Sequence, residues 1–115
     1  MRLRQRDIVL IPVPFSDLTT LKRRPALVLS CDARLRSGDD VVIAAITSQS
    51  SQAPCRVPIT ANDLEEGALP LLSWVRADRL YTLSARIVLK RFGRLRPEAF
   101  ANVLAEIDRL WGREA

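Results

Sequence analysis

Apolar residues in this chain come in short runs broken by polar or basic stretches, and only the last segment keeps a helical spacing. Ile8-Val9-Leu10-Ile11-Pro12-Val13-Pro14-Phe15 is rich in β-branched residues and predicts a strand, which the prolines place near an edge or ending there. Residues 16–24 are polar and basic and read as an exposed loop. Pro25-Ala26-Leu27-Val28-Leu29-Ser30 predicts a second strand, with Pro at its first position, where no internal ladder bond is lost. Residues 31–40 contain the turn cluster Ser37-Gly38-Asp39-Asp40. Val41-Val42-Ile43-Ala44-Ala45-Ile46 is short and continuously apolar, as expected of a central strand buried on both faces.

A polar stretch over residues 48–52 precedes a short predicted strand at Arg56-Val57-Pro58-Ile59. Residues 60–67 then read as one helical turn, capped by Thr60 and stopped by Gly67. Ser73-Trp74-Val75-Arg76-Ala77-Asp78 and Ile87-Val88-Leu89-Lys90-Arg91-Phe92 complete the strand set. In the last segment Pro97 suits a first helical position and Glu98 the positive helix start. Phe100, Val103, Leu104, Ile107, Leu110 and Trp111 follow at spacings of three and four until Gly112. That stripe is expected to pack on the sheet. Short strands followed by one terminal helix predict a mainly β fold, a curled antiparallel sheet or small barrel.

Length and composition narrow the class. At 115 residues, one domain over residues 1–115 is expected. With 48% apolar and 27% charged residues, the chain has the material for a core and does not read as disordered. No apolar run is long enough to span a bilayer, and the charged N-terminus has no signal-type apolar region, so a cytoplasmic address is expected. Eighteen basic residues against thirteen acidic ones give a net charge of +5, and sixteen of the eighteen are Arg. A guanidinium binds phosphate oxygens in pairs and stacks on bases, which favours a nucleic-acid partner. Genomic base bias also produces Arg-rich chains.

The two cysteines, Cys31 and Cys55, have no CxxC spacing, and there is no histidine. A structural zinc site is therefore not expected, and both thiols read as buried small hydrophobes. Without imidazole, Ser-His and Cys-His nucleophilic schemes are excluded, as is the usual imidazole acid and base for cutting RNA.

Four segments in order resemble the MazF/PemK toxins: Asp7-Ile8-Val9-Leu10, Lys22-Arg23-Arg24-Pro25-Ala26-Leu27-Val28-Leu29, Ala44-Ala45-Ile46-Thr47-Ser48-Gln49, and Val75-Arg76-Ala77-Asp78 followed by Tyr81-Thr82-Leu83. The likeness runs from about Asp7 to Gly112. It departs at Arg6, where that family usually has Gly before the acidic residue. The resemblance implies an SH3-like barrel of the CcdB/MazF type with a C-terminal helix. It further implies a homodimer, a cognate antitoxin, a toxin–antitoxin complex that binds operator DNA, and sequence-preferring cleavage of single-stranded RNA. The implied products carry a 2′,3′-cyclic phosphate and a free 5′-hydroxyl, with no cofactor and no metal.

Such a reaction needs a proton acceptor, a cation to steady the extra negative charge, and protonation of the leaving oxygen; RNA supplies its own nucleophile. Arg24 matches the family's essential Arg, and its fork suits the phosphorane. A guanidinium makes a poor base, so Arg24 is assigned charge stabilisation and proton donation. Thr47, after an apolar strand, is assigned hydrogen bonding to the scissile phosphate, although a β-branched residue there also suits a sheet on packing alone. Arg76 and Asp78, two apart on a strand, share a face and match a pair described in some PemK-like members; the alternative is a structural surface ion pair. Lys22, Arg23 and Arg79 are expected to hold the RNA backbone, and Ser48 and Gln49 to read base edges. Trp74 is either a base-stacking residue or a core aromatic.

Two other classes compete. One is a CcdB-like gyrase poison, which needs a terminal Trp-Gly pair; Trp111-Gly112 is followed by three more residues and fits a helix end. The other is a relative that binds RNA or antitoxin without cutting. The four ordered motifs argue against a third reading, an unrelated barrel acting as a basic interaction module.

Overall fold

The computed structural model describes residues 2–14, 21–49, 53–69 and 71–113. The strands are β1 (Asp7–Pro14), β2 (Leu21–Val28), β3 (Asp40–Thr47), β4 (Arg56–Ile59), β5 (Leu64–Gly67), β6 (Ser73–Ser84) and β7 (Lys90–Leu95). A short helix α1 (Asp32–Ser37) joins β2 to β3, and α2 (Pro97–Leu110) ends the fold. All paired strands are antiparallel, in one sheet of order β4-β6-β3-β2-β1-β7-β5, curled into a half-barrel. The fold class expected from the sequence, mainly β with a terminal helix, is the one observed.

Strand alternation sorts the side chains into two cores. Ile8, Leu27, Ala44, Ile46, Val57 and Val75 point to one face and are covered by Phe100, Val103 and Ile107 of α2. Val9, Ile11, Ala26, Val28, Val41 and Ile43 point to the other, with Leu35 of α1 packed against them. As its unbroken apolar run predicts, β3 feeds both cores.

The prolines of β1 have a positional reason, though the strand is not at an edge. β1 lies between β2 and β7, but β7 pairs only with Asp7 to Leu10. From Ile11 on, the ladder joins β1 to β2 alone, and Pro12 and Pro14 fall in that half. Pro25 is likewise not the first residue of its strand. β2 begins at Leu21, and Pro25 stands one residue before pairing with β3 begins at Ala26. Lys22, Arg23 and Arg24 therefore lie on a strand rather than in the predicted loop, whose residues 16–20 fall outside the described residues, as do Phe15 of the first predicted strand and residues 50–52 of the polar stretch.

Several local expectations are corrected by long-range contacts. Residues 32–37 form a helix ahead of the predicted turn, and the Asp32 carboxylate accepts from the Gln5 N–H at 2.8 Å. Thr60 does cap a turn, its N–H donating to Asp63 Oδ2 at 2.8 Å, but the turn covers only Ala61–Asp63 before β5 begins. Gly67 is a close-approach residue of β5 and not a helix stop: its φ is +81°, and a Cβ there would lie 2.1 Å from the Phe92 carbonyl oxygen. β6 runs on through Tyr81-Thr82-Leu83, and β7 starts at Lys90, three residues later than predicted, after a 3₁₀ turn at Ala85–Ile87.

The terminal helix matches its predicted start and stop. Its C-terminus closes in a Schellman motif, with Gly112 at φ +76° donating to the Arg109 carbonyl and Arg113 N–H donating to that of Asp108. The buried stripe is narrower than predicted, because Leu104, Leu110 and Trp111 are exposed. Cys31, expected inside, is exposed; Cys55 is half-buried at φ +67°.

Arg6 explains why its position favours glycine. Its φ is +78°, a left-handed conformation that L side chains adopt at a cost. Compensation comes from its guanidinium, which donates to the Leu95 carbonyl at 2.7 Å and to Glu65 Oε1 at 3.1 Å. Next to it, Asp7 is completely buried, accepting from the Arg4 N–H at 2.8 Å and from Arg91 Nε at 3.0 Å.

Candidate functional site

Of the predicted residues, Arg24 and Thr47 stand where β2 and β3 part. The last paired row there is Ala26 opposite Ala45. Two residues further along each strand, on the same face, stand Arg24 and Thr47. Pairing of β1 with β2 holds the Arg24 backbone opposite Ile11, and pairing of β3 with β6 holds Thr47 opposite Trp74. Trp74 is half-buried and in turn faces Pro58 of β4. Arg24, Thr47, Trp74 and Pro58 thus project from one surface at one end of the sheet.

Thr47 is oriented by its own turn. Its Oγ1 accepts from the Gln49 N–H at 3.2 Å, which occupies a lone pair and leaves the hydroxyl proton to be donated. The Gln49 carbonyl accepts from Arg56 Nη1 at 3.1 Å, tying this turn to β4. Ser48 and Gln49 are exposed, as base-reading groups would be.

Arg76 and Asp78 lie where β6 leaves β3. Ile46 faces Val75 and Ala44 faces Leu80, so β6 places residues 76–79 opposite the single residue Ala45. This bulge swings Arg76, Asp78 and Arg79 away from the β3 ladder while Ala77 stays in the core, its N–H donating to the Cys55 carbonyl at 2.8 Å. Arg76 Nε is 3.7 Å from Asp78 Oδ1, an ion pair too long for a hydrogen bond. Two residues along β6 from Trp74, Arg76 is about 7 Å from the Thr47 row at the usual strand rise. Asp78 lies two residues further along β6, within the bulge, and its contact toward that row is the ion pair with Arg76.

Arg24 and Ser48 also line a cleft of about 190 Å³, with Pro25, Ile46, Leu71 and Ser73. A larger cleft, about 390 Å³, sits at the opposite end of β3 beside α1, between Arg2, Leu35, Arg36 and Asp40, and holds none of the predicted residues. Cavity size thus does not single out the candidate residues, which lie on a basic, mostly open strand end. Lys22, Arg23 and Arg24 are all exposed along β2, with Arg79 exposed on the bulge.

One residue escaped the sequence reading. Arg56, taken only as part of a short strand, is directly opposite Arg76 in the β4–β6 ladder. Nothing in the local sequence marks it, because the pairing is set by a contact twenty residues away along the chain.

A half-barrel sheet with a terminal helix, and a basic strand end that carries Arg24 and Thr47, define a small, mainly β protein. The family of PemK-like, MazF-like toxins of type II toxin–antitoxin systems matches residues 4–111, and the chain belongs to it. Among curated proteins none matches the sequence. Solved structures agree in fold. The MazE–MazF complex from Deinococcus radiodurans superposes with a TM-score of 0.79 at 22% identity, covering 97% of this chain and 98% of that one. Mycobacterium tuberculosis toxin MazF-mt6 gives 0.77 at 21% identity, covering 96% and 100%. An endoribonuclease in complex with its cognate antitoxin, from a mycobacterial species, gives 0.79 at 21%, covering 96% and 95%. No helix among the described residues is long and apolar enough to cross a membrane.

Proposed function

We propose that this toxin is a metal-independent endoribonuclease that cuts single-stranded RNA at preferred sequences. The observation that carries this is the placement of Arg24 and Thr47 on one face, at the parting ends of adjacent strands, with the Thr47 hydroxyl fixed by Gln49. The 2′-hydroxyl attacks the adjacent phosphorus and gives its proton to a base, for which Asp78 is the group at hand. The P–O5′ bond breaks, and the leaving oxygen takes a proton from the Arg24 guanidinium to become a 5′-hydroxyl; Arg24 is reprotonated and Asp78 deprotonated by solvent. Arg24 steadies the added negative charge of the phosphorane with its two-pronged donor, and the Thr47 hydroxyl donates to a non-bridging oxygen. Arg76 holds Asp78 in place through their ion pair. Lys22, Arg23 and Arg79 grip flanking phosphates, Ser48 and Gln49 read base edges, and Trp74 offers a partly open ring for stacking.

In this reading the chain works as a cytoplasmic homodimer restrained by a cognate antitoxin, and the complex of the two binds operator DNA. Support comes from family membership and from related folds solved as toxin–antitoxin complexes. An acidic, disordered segment that folds as it binds would compete with RNA for the basic face.

The test is to incubate the purified protein with a long unstructured RNA in EDTA and map the ends. Cleavage leaving 2′,3′-cyclic phosphate and 5′-hydroxyl termini is expected. Cleavage only with added metal, or none at all, would overturn the proposal.

A further inference from the structure

Arg56 and Arg76 are neighbours across the β4–β6 ladder, on the face that carries Thr47 and Trp74. Like charges directly opposite each other repel in a sheet. The Nε atoms of both residues are shielded from solvent and have no hydrogen-bond partner. Each therefore bears the desolvation of an unmade bond on top of the repulsion. Asp78, at 3.7 Å from Arg76 Nε, offsets one of the two charges. Beyond the Arg56 Nη1 bond to the Gln49 carbonyl, no hydrogen bond within the described residues occupies the outer nitrogens of the pair. A site with this much uncompensated positive charge, built from planar forks, is suited to an anion that bridges them.

We infer that Arg56 and Arg76 form a phosphate subsite that clamps the RNA backbone one nucleotide from the scissile phosphate. This rests on the proposed RNA cleavage and adds a binding position to it. The pair stands two residues along β6 from the row holding Thr47, a displacement of about 7 Å at the usual strand rise, which suits the step between successive phosphates of an extended single strand. Arg56 has a second effect. Through Gln49 it braces the turn that orients the Thr47 hydroxyl, so a phosphate drawn onto the clamp is held in register with that hydroxyl.

The experiment measures binding of a fluorescent 2′-deoxy oligonucleotide, which cannot be cut, by anisotropy over a range of salt. Wild type, Arg56→Gln, Arg56→Lys and Arg34→Gln are compared; Arg34, on α1 at the far end of β3, controls for loss of one charge. Each phosphate contact to a single strand contributes about 0.7 to the slope of log affinity against log salt. Arg56→Gln is expected to lower that slope by about 0.7 and to weaken binding about tenfold, whereas Arg34→Gln leaves the slope unchanged. Arg56→Lys should keep most of the slope but lose part of the affinity, since an ammonium is not a fork. Equal slopes for wild type and Arg56→Gln, or equal losses for Arg56→Gln and Arg34→Gln, would overturn the clamp. Should wild type cut RNA in EDTA while Arg56→Gln binds like wild type, only the clamp fails. A wild type that neither binds nor cuts would sink the proposed function with it.

Discussion

Arginines crowd two regions of this sheet and meet opposite fates. At the edge formed by β7, β5 and the residues before β1, Arg4, Arg6, Arg91 and Arg94 are matched by Asp7, Glu65 and Glu66. Arg91 bonds both the buried Asp7 and Glu66; Arg4 reaches Glu66 at 3.3 Å, and Glu65 faces Arg6 at 3.1 Å and Arg94 at 3.8 Å. Across β6 and β4 two guanidiniums instead face each other, with one carboxylate 3.7 Å from the nearer Nε. Where every arginine meets a carboxylate, the charge is consumed in joining strands distant in sequence. Where base exceeds acid, positive charge is left uncompensated, at a cost to stability.

This contrast can be broken from either side. The largest effect is expected at the unbalanced end: Arg24→Ala should lower the rate of RNA cleavage about 10²–10³-fold with the urea midpoint unchanged, because an exposed strand residue adds little to folding. A fully active variant would remove Arg24 from the site. At the paired edge Asp7→Ala should do the reverse. It should cost about 2–3 kcal/mol in urea unfolding, since it strips a buried acceptor from Arg91 and from the Arg4 N–H, yet leave the cleavage rate per folded molecule unchanged.

Thr47→Val keeps the β-branched shape and removes the hydroxyl, so a roughly 10- to 100-fold loss of kcat with little change in stability is expected. Thr47→Ser should recover much of that rate; if Thr47→Val cuts as fast as wild type, the hydroxyl has no part in the reaction. Smaller still is the effect at Arg6. Arg6→Ala keeps the left-handed strain and loses the contacts to Leu95 and Glu65, while Arg6→Gly loses the same contacts and relieves the strain. The glycine variant should therefore be the more stable of the two by about 1 kcal/mol.

The smallest expected effect is one of pH. The hydrogen bond from Arg91 holds the Glu66 carboxyl below its ordinary value of 4.5, and Asp32 is held below 3.8 by the Gln5 N–H. A lowered carboxylate contributes stability that is present above its unfolded pKa and lost as pH falls through the folded one. Urea midpoints should hold steady down to about pH 5 and decline below it, and Glu66→Gln should make that decline shallower. An equal decline in both proteins would show that the Arg91–Glu66 contact has no share in acid sensitivity.

Much of the fold was legible because it is written in local periodicity. The β3 run reads as doubly buried because it is apolar at both parities, and α2 reads from Pro97 to Gly112 because spacing and caps agree. The four ordered motifs gave the family, and with it Arg24, Thr47, Arg76 and Asp78 as candidates. Harder to read were segments whose conformation depends on a partner strand. β5 replaces a plausible helical turn because Gly67 can press against Gly93 of β7, and the prolines of β1 and β2 make sense only once the ends of the neighbouring ladders are known.

Which residues are apolar, which are basic and how they are spaced decided that this chain makes a curled sheet with a helix at its end, since those patterns act over one strand or a few turns. Which arginine meets a carboxylate and which meets another arginine was decided by register. A strand slipped by one residue would turn every side chain to the other face, and the register between β4 and β6 is fixed by cores assembled from the whole chain. For that reason Arg91 and Arg56, alike in sequence, serve as a structural tie and as part of a candidate phosphate clamp.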